Sequence, residues 1–455
     1  MISTEAWSGR TGFMLATIGS AVGIGSIWKF PYEVGANGGS AFLFFYLLGL
    51  VGVVVPLMFA EFAIGRRGRG DPVASIARVA AAFGADARWR FVGLLGVLTG
   101  FLILTFYSVI GGWTLGYAWQ TAVDGLAGES SDAAQSRFAE FLAAPLPMLL
   151  FHGIFMATTA FVIARGVTRG IESASKILMP VLAALMLALA VYAIVQGDLD
   201  ATLRFLFRLE PERITARAVI SALGLGFFSI GVGLGLMITY AAYAGERISL
   251  TQVAIVSVVA DTAISLMAGF AVFPIVFAHG LDPGSGPGMV FVTLPLAFAR
   301  MPLGTVAAVA FFALLFVAAL ASAISLLELV VAMLMRRHGW SRIRTTLLAT
   351  GVCFIGGIPT VLSFNLWADW HPLQAVPALA HDTFFDLLDD LTSNLLLPAG
   401  GFAIALFAGW ALPARALADE LPMPRRVATA LRVTLRYVAP GAIALAVLAP
   451  LLLPG

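Results

Sequence analysis

Apolar residues along the chain gather into eleven runs long enough to cross a bilayer, separated by short polar stretches. They cover 11–35, 41–65, 90–120, 147–164, 171–196, 217–244, 250–278, 303–335, 343–362, 384–411 and 427–453. A further run, 287–299, is too short to span and is flanked by glycine and proline, which predicts a short helix in an outer loop. Two of the eleven runs break their own pattern at the centre. The first holds Gly19, Ser20, Gly23, Gly25, Ser26, Lys29 and Pro31. The sixth holds Gly224, Gly226, Gly231, Gly233 and Gly235 around Phe228 and Ser229. Glycine weakens a helix interior by roughly 1 kcal/mol relative to alanine, so several together predict unwound backbone. At membrane depth such backbone is tolerated only where it faces protein or a cavity. Freed carbonyls there hold a cation, and a half-helix N-terminus holds an anion. The first and sixth runs therefore read as the two sides of one binding site.

The two broken runs lie five spans apart, which points to two inverted repeats, since an odd number of spans turns the second copy over. Spans one to five (11–196) and six to ten (217–411) fit that arrangement, and the eleventh (427–453) lies outside it. No long Pro/Ser or charged tract divides residues 1–455, so a single all-α transmembrane domain is expected.

Composition agrees with the pattern. Of 455 residues 60% are hydrophobic and 11% charged, and mean hydropathy is +0.96, which indicates a polytopic helical membrane protein. Arg66, Arg67, Arg69, Arg78, Arg88 and Arg90, then Arg165, Arg169 and Lys176, then Arg336, Arg337, Arg342 and Arg344, and finally Arg415, Arg425, Arg426, Arg432 and Arg436 occupy alternate loops. The other loops carry mainly acids, such as Asp369, Asp382, Asp386 and Asp389. By the positive-inside rule the N-terminus is cytoplasmic, and eleven spans put the C-terminus outside. The first run lacks a small-residue cleavage pattern and does not read as a signal peptide. The lone Cys353 excludes a disulfide framework.

Asp261 is the most informative residue outside the broken runs. It lies midway along the seventh span, among Val258, Val259, Ala263 and Ile264. An acid at bilayer depth is costly unless paired, so it marks a functional site or a carboxyl kept neutral by burial. The five histidines (152, 279, 338, 371 and 381) are scattered, and no nucleophile–base pair or metal cluster emerges. An enzyme, an organic cofactor and a nucleic-acid partner are not expected.

Gly19 to Pro31, Asn37-Gly38-Gly39, Pro56-Leu57-Met58 with Glu61, and Trp113 to Gly116 resemble the neurotransmitter:sodium symporters. Phe228-Ser229, Ile238-Thr239-Tyr240 and Ala318 to Ser325 continue that resemblance in order along nearly the whole chain. The chain is similar to the eleven-span amino-acid transporters of bacteria. The resemblance implies the leucine-transporter fold and a symporter of the bacterial inner membrane, with membrane lipid around it. It would import hydrophobic L-amino acids by alternating access, driven by one or two sodium ions.

The first sodium site implied is Ala21, Ser26, Ser229 and Asp261, completed by the substrate carboxylate; the second is Gly19, Val22, Ala318, Ala321 and Ser322. Chloride-dependent relatives carry an amide at the Asp261 position, so chloride independence is expected here, although Ser265 matches their chloride-site serine. The substrate site implied is Ser20, Ala21, Gly23, Gly25, Ile103, Tyr107, Phe228, Gly231, Leu234, Ser322 and Leu326. Monoamine carriers place an aspartate where this chain has Gly23, so a substrate bringing its own carboxylate is expected. The apolar lining and the room at Gly231 indicate a large aliphatic or aromatic side chain.

Lys29 and Asp389 match an outer gate pair, with Asp386 or Asp390 as other partners for the lysine, and Trp7 matches a docking tryptophan. Thr4 and Arg336 stand where the usual inner arginine–aspartate pair would be. Gly170 and Pro180 match positions where similar carriers unwind the fifth span. Ala321 replaces a hydroxyl residue, which puts a second sodium in doubt unless water or Ser325 fills the gap. A proton-coupled or weakly coupled carrier, with Asp261 or Glu33 titrating, and a non-transporting sensor remain as alternatives.

Overall fold

The computed structural model describes residues 5–126, 131–283 and 289–452, and among them there are helices and no strands. The first apolar run forms two helices, α1 (Arg10–Ala21) and α2 (Gly25–Ala36), bent by 52° at their junction. The sixth run also forms two, α10 (Ala216–Ile230) and α11 (Leu236–Ala242), separated by 231–235. The remaining runs form nine continuous helices long and apolar enough to span. These are α3 (Ser40–Gly68), α5 (Ala87–Asp124), α7 (Pro145–Ala164), α8 (Val167–Gln196), α12 (Leu250–Ala278), α14 (Gly304–His338), α15 (Arg342–Leu362), α16 (Phe384–Ala411) and α18 (Arg425–Leu448). With the bent first run counted as one span, ten such crossings lie among the described residues; the sixth run, expected as an eleventh, is made of the two shorter helices α10 and α11.

Short amphipathic helices that apolar run length did not show lie between them: α4 (Pro72–Ala82), α6 (Ser131–Ala143), α9 (Leu199–Phe207) and α17 (Ala414–Ala418). Their starts are set by local capping. Asp71 accepts from the Ala74 amide and Asp198 from the Ala201 amide, each satisfying a donor the helix leaves open. The loop helix expected over 287–299 is present as α13 (Val290–Ala299); residues 287 and 288 lie outside the described ones.

The long helices α5 and α14 pack along one another, and α1 lies against α8, α12 and α14. Both broken spans are thereby wrapped by continuous helices, and their unwound segments are buried. The outer surface is apolar, with Val51, Leu146 and Val195 each at least 70% exposed, as a lipid-facing belt requires.

At one end, ion pairs tie the loops together: Arg66 and Arg67 in the last turn of α3 meet Glu420 and Asp419 between α17 and α18, Arg69 meets Glu246, and Arg336 meets Asp71. This is the arginine-rich end. At the opposite, acidic end an aromatic cluster forms around Phe291, with Trp28 at 5.6 Å, Tyr117 at 5.0 Å and Phe138 at 5.3 Å between ring centres.

Candidate functional site

The break between α10 and α11 is built from glycine. Gly231, Gly233 and Gly235 adopt φ of 70°, 96° and 79°, a region that costs other residues strain. A Cβ on Gly233 would also lie 2.7 Å from the Gly401 nitrogen, so α16 and the unwound strand meet backbone to backbone. Glu61, fully buried on α3, accepts a hydrogen bond from the Gly233 amide at 2.6 Å and stands against the start of α11. That placement favours a negative group, because open amides and the helix dipole converge there. Here Glu61 braces the break.

Beside the two breaks, Asp261 of α12 gathers three hydroxyls. Ser26 Oγ donates to its Oδ1 at 2.5 Å. Ser229 Oγ lies 3.2 and 3.1 Å from the two carboxylate oxygens, and Tyr46 Oη donates to Oδ2 at 3.3 Å. Ser26 and Ser229 are themselves 2.9 Å apart. Asp261 is fully buried, and among the described residues no arginine, lysine or histidine pairs with it. A buried carboxylate set among hydroxyls, next to the carbonyls at the end of α1 where Ala21 sits, is a hard-oxygen donor set. It fits a small hard cation such as sodium.

The second set is poorer. Ser322 Oγ donates to the Ser20 carbonyl at 3.4 Å, and Gly19 packs against Met179 and Ala321, where a Cβ would sit 3.1 Å from Met179 Cε and 3.5 Å from Ala321 Cβ. Gly19 and Val22 present carbonyls at the end of α1, and Ala318 lies on the facing turn of α14. Ser325 does not supply the oxygen Ala321 lacks. Its hydroxyl meets Tyr240 Oη at 2.8 Å and the Ala321 carbonyl at 3.3 Å.

Between the breaks lies a cavity of about 40 Å³. It is lined by Ser20, Gly23, Gly25, Ile103, Tyr107, Phe228, Ser229, Gly231, Leu234, Ser322 and Leu326, with Leu236 and Leu397, which the sequence did not point to. Ala21 is buried beside it and does not line it. The Ile24 amide donates to Tyr107 Oη at 3.3 Å. A Cβ on Gly23 would lie 2.5 Å from Ser322 Oγ and 3.0 Å from Tyr107 Oη, so this position has no room for an acidic side chain.

The expected outer gate pair is not formed. Lys29 places its ammonium over the Phe228 ring, 4.7 Å from the centre. Asp389 instead accepts from Ser393 at 2.8 Å, Asp386 caps α16 through Thr383, and Asp390 accepts from Asn394. Each acid is satisfied within its own helix, so none reaches across. Lys29 and Asp389 both line a cavity of about 390 Å³ that opens above Phe228 at the acidic end.

At the arginine-rich end the N-terminal segment is sewn down. Trp7 Nε1 donates to the Tyr240 carbonyl at 2.8 Å, and its amide to the Tyr243 carbonyl at 3.2 Å. Ser8 bonds the Glu172 carboxylate, which also pairs with Lys176. Arg342, at the start of α15, bridges two acids: Glu5 on the N-terminal segment and the fully buried Glu328 of α14, the latter at 2.6 Å. Tyr243 Oη donates to Glu328 at 2.8 Å. This triad closes the end with the charges exchanged, since the acid stands on the N-terminal segment. Arg336 pairs elsewhere, with Asp71, and Thr4 lies outside the described residues. Burial pushes the carboxyls of Glu5 and Asp71 above their usual range, Arg342 and Arg336 offsetting part of that.

The α8 start remains helical in this structure, its turns widened to the i→i+5 pattern over Val167–Glu172, which includes Gly170; Pro180 lies inside the helix. Glu61 and Glu328 were legible by the depth argument that singles out Asp261, since each is an acid inside an apolar run. Glu5 carried no signal, and Arg342 read as one more loop arginine.

Residues 4–136 and 148–365 match the family described as the sodium:neurotransmitter symporter family. An uncharacterized sodium-dependent transporter of Bacillus subtilis is 35% identical, over 88% of this chain and 86% of its own. An uncharacterized sodium-dependent transporter of Methanocaldococcus jannaschii is 30% identical, over 89% of this chain and 82% of its own. The crystal structure of MhsT in complex with L-phenylalanine is similar at a TM-score of 0.89 and 38% identity, covering 98% of this chain and 99% of that one.

Proposed function

The chain belongs to the sodium:neurotransmitter symporter family, and from that premise we propose that it imports large aliphatic or aromatic L-amino acids together with sodium, without chloride. It is a multi-pass, sodium-dependent membrane transporter and not an enzyme. The observation that carries the finer reading is Asp261, a buried carboxylate among Ser26, Ser229 and Tyr46 with no cationic side chain paired to it among the described residues. Sodium supplies the missing charge there, and because the carboxylate is part of the protein, a bound chloride is not needed to balance it.

An α-amino acid would then occupy the neighbouring cavity, which at about 40 Å³ is nearly closed and must widen to admit it. Its carboxylate meets the first sodium, Tyr107 and the backbone near Gly23; its ammonium meets carbonyls of the two breaks. Apolar Ile103, Phe228, Leu234, Leu236, Leu326 and Leu397 surround its side chain. The L-phenylalanine held by MhsT supports this substrate class. Shared ligation in one site makes sodium and substrate each raise the other's affinity, which links their movements. The poor donor set around Ala321 favours a strong first sodium site and a weak second one. The arginine-rich end faces the cytoplasm of a bacterial cell, with the N-terminus inside and the C-terminus outside. The site then opens outward past Phe228 and inward by release of the Glu5–Arg342–Glu328 triad.

The test is binding of a panel of radiolabelled amino acids to purified protein in sodium and in potassium, followed by uptake into proteoliposomes. Sodium-dependent binding of phenylalanine, tryptophan or leucine in chloride-free buffer is expected. Binding indifferent to sodium, with uptake driven by a pH gradient, would overturn sodium coupling and assign Asp261 a proton. Binding without uptake would make the protein a sensor, and no binding of any amino acid would remove the substrate reading.

A further inference from the structure

At the arginine-rich end a second cavity, of about 370 Å³, lies between α17 and the start of α18. Its walls are partly apolar, from Ala408, Leu417, Leu421, Met423 and Leu431, and partly cationic, from Arg415, Arg425 and Arg432. Arg415 rests over the Phe83 ring at 5.8 Å, and none of the three is used in the ion pairs that tie the loops at this end. Arg66, Arg67, Arg69, Arg336 and Arg342 each meet a carboxylate. Among the described residues, none meets Arg415, Arg425 or Arg432, and the nearby acids Asp419 and Glu420 are already taken by Arg67 and Arg66. Three arginines lining one cavity make a cationic wall that an anion would neutralise.

The level of the cavity is marked by what lies beside it. One turn further along α18, Arg436 stacks over Trp410 at 5.2 Å, and Trp410 packs edge-on against Tyr437 at 5.4 Å. Both rings are exposed on the outer surface, as residues of the membrane–water boundary are. Beyond them, Val438, Leu445 and Leu448 are exposed and apolar. On α18, Arg425, Ala428, Thr429 and Arg432 fall at helical spacing on one face. A polar, cationic cavity thus sits just outside an aromatic boundary, above an apolar surface long enough for an acyl chain.

We propose that this cavity binds the phosphate headgroup of an anionic phospholipid, gripped by Arg415, Arg425 and Arg432, with its acyl chains lying along the exposed face of α18. Guanidinium groups suit phosphate because they donate in pairs. Basic pockets between spans at a membrane surface select anionic headgroups by the same chemistry. The apolar half of the cavity favours a lipid over free phosphate, which has nothing to place there. Through Asp419 and Glu420 the bound lipid would brace α17 against α3. The inference is independent of which substrate the transporter carries.

The experiment is native mass spectrometry of the delipidated full chain, titrated with phosphatidylglycerol and, separately, phosphatidylcholine. Wild type is expected to retain phosphatidylglycerol at least tenfold more than phosphatidylcholine, and millimolar inorganic phosphate should not displace it. Arg415→Gln/Arg432→Gln should abolish that preference, and Thr429→Glu, at an exposed position, should do so without removing any wall of the cavity. Arg344→Gln, at the same end but away from the cavity, should leave it intact. Equal retention of the two lipids by wild type, or unchanged selectivity in both cavity variants, would overturn the proposal. Displacement by phosphate would reassign the cavity to a free anion.

Discussion

The ammonium of Lys29 lies 4.7 Å from the centre of the Phe228 ring. Among the described residues no carboxylate forms an ion pair with it, and Asp386, Asp389 and Asp390 are instead hydrogen-bonded within their own stretch of chain. The cation therefore rests on the ring that covers the central cavity. A desolvated cation–π contact contributes about 0.5–2 kcal/mol, which corresponds to a roughly two- to thirtyfold change in a rate. Lys29→Met is expected to speed substrate dissociation by that factor, read by release of prebound radiolabelled amino acid into excess unlabelled. Asp389→Asn should change the rate less than Lys29→Met does. Equal effects would restore a direct Lys29–Asp389 gate.

Asp261→Asn keeps the shape of the first site and removes its charge. Ser26 and Ser229 then still offer oxygens, yet the cation loses its only fixed counter-charge among the described residues. Losing a charge-assisted contact of about 1.5–3 kcal/mol lowers sodium-dependent binding roughly ten- to a hundredfold. Part of that loss should return when chloride is added, since a free anion can supply the missing charge. Binding that is unchanged in chloride-free buffer would show that the carboxylate plays no part in holding the cation.

The breaks at 22–24 and 231–235 were legible because glycine and polar residues at the middle of an apolar run have few other uses at membrane depth. Asp261 was legible for the same reason. The gates were not, because a gate is a matter of which partner a charge chooses. Lys29 has acids within the same cavity and an aromatic ring beside it, and only the local hydrogen bonds of Asp386, Asp389 and Asp390 decide between them. Arg342 shows the limit from the other side: its position at the start of a span suited a loop arginine, while its two partners lie 14 and 337 residues away in sequence. Amphipathic α4 and α9 were missed because a search for long apolar runs passes over a helix with one polar face.

Ala321 tests how many cations travel. A hydroxyl there would add one oxygen beside Ser322, and Ser325 leaves the position open because Tyr240 and the Ala321 carbonyl already engage it. Ala321→Ser is expected to lower the sodium concentration for half-maximal binding by roughly three- to tenfold, equivalent to about 0.6–1.4 kcal/mol. The Hill coefficient for sodium should rise with it. An unchanged sodium dependence would mean that the second site is complete without this side chain, or that it is not used.

Arg342 and Glu5 should respond unequally to neutralisation, although they pair with each other. Arg342 serves two carboxylates, Glu5 and the fully buried Glu328. Removing its charge leaves both acids facing each other with no cation, and breaking such a buried set costs about 3–5 kcal/mol. Arg342→Gln is therefore expected to release the N-terminal segment. Glu5→Gln leaves the Arg342–Glu328 pair intact and removes a carboxyl whose proton affinity burial has raised. With the docked value above the free one, docking is strongest below the ordinary carboxylate range. It weakens as pH rises through the raised docked value. Hydrogen exchange at the Trp7 amide, which donates to the Tyr243 carbonyl, reads this directly. Exchange should accelerate in Arg342→Gln at all pH values. In wild type, after correction for intrinsic chemistry, protection should fall as pH rises through the docked value and then level off. In Glu5→Gln it should stay level across that window. Equal loss of protection in the two variants would mean that the Glu5–Arg342 pair alone, rather than the three-residue set, holds this end closed.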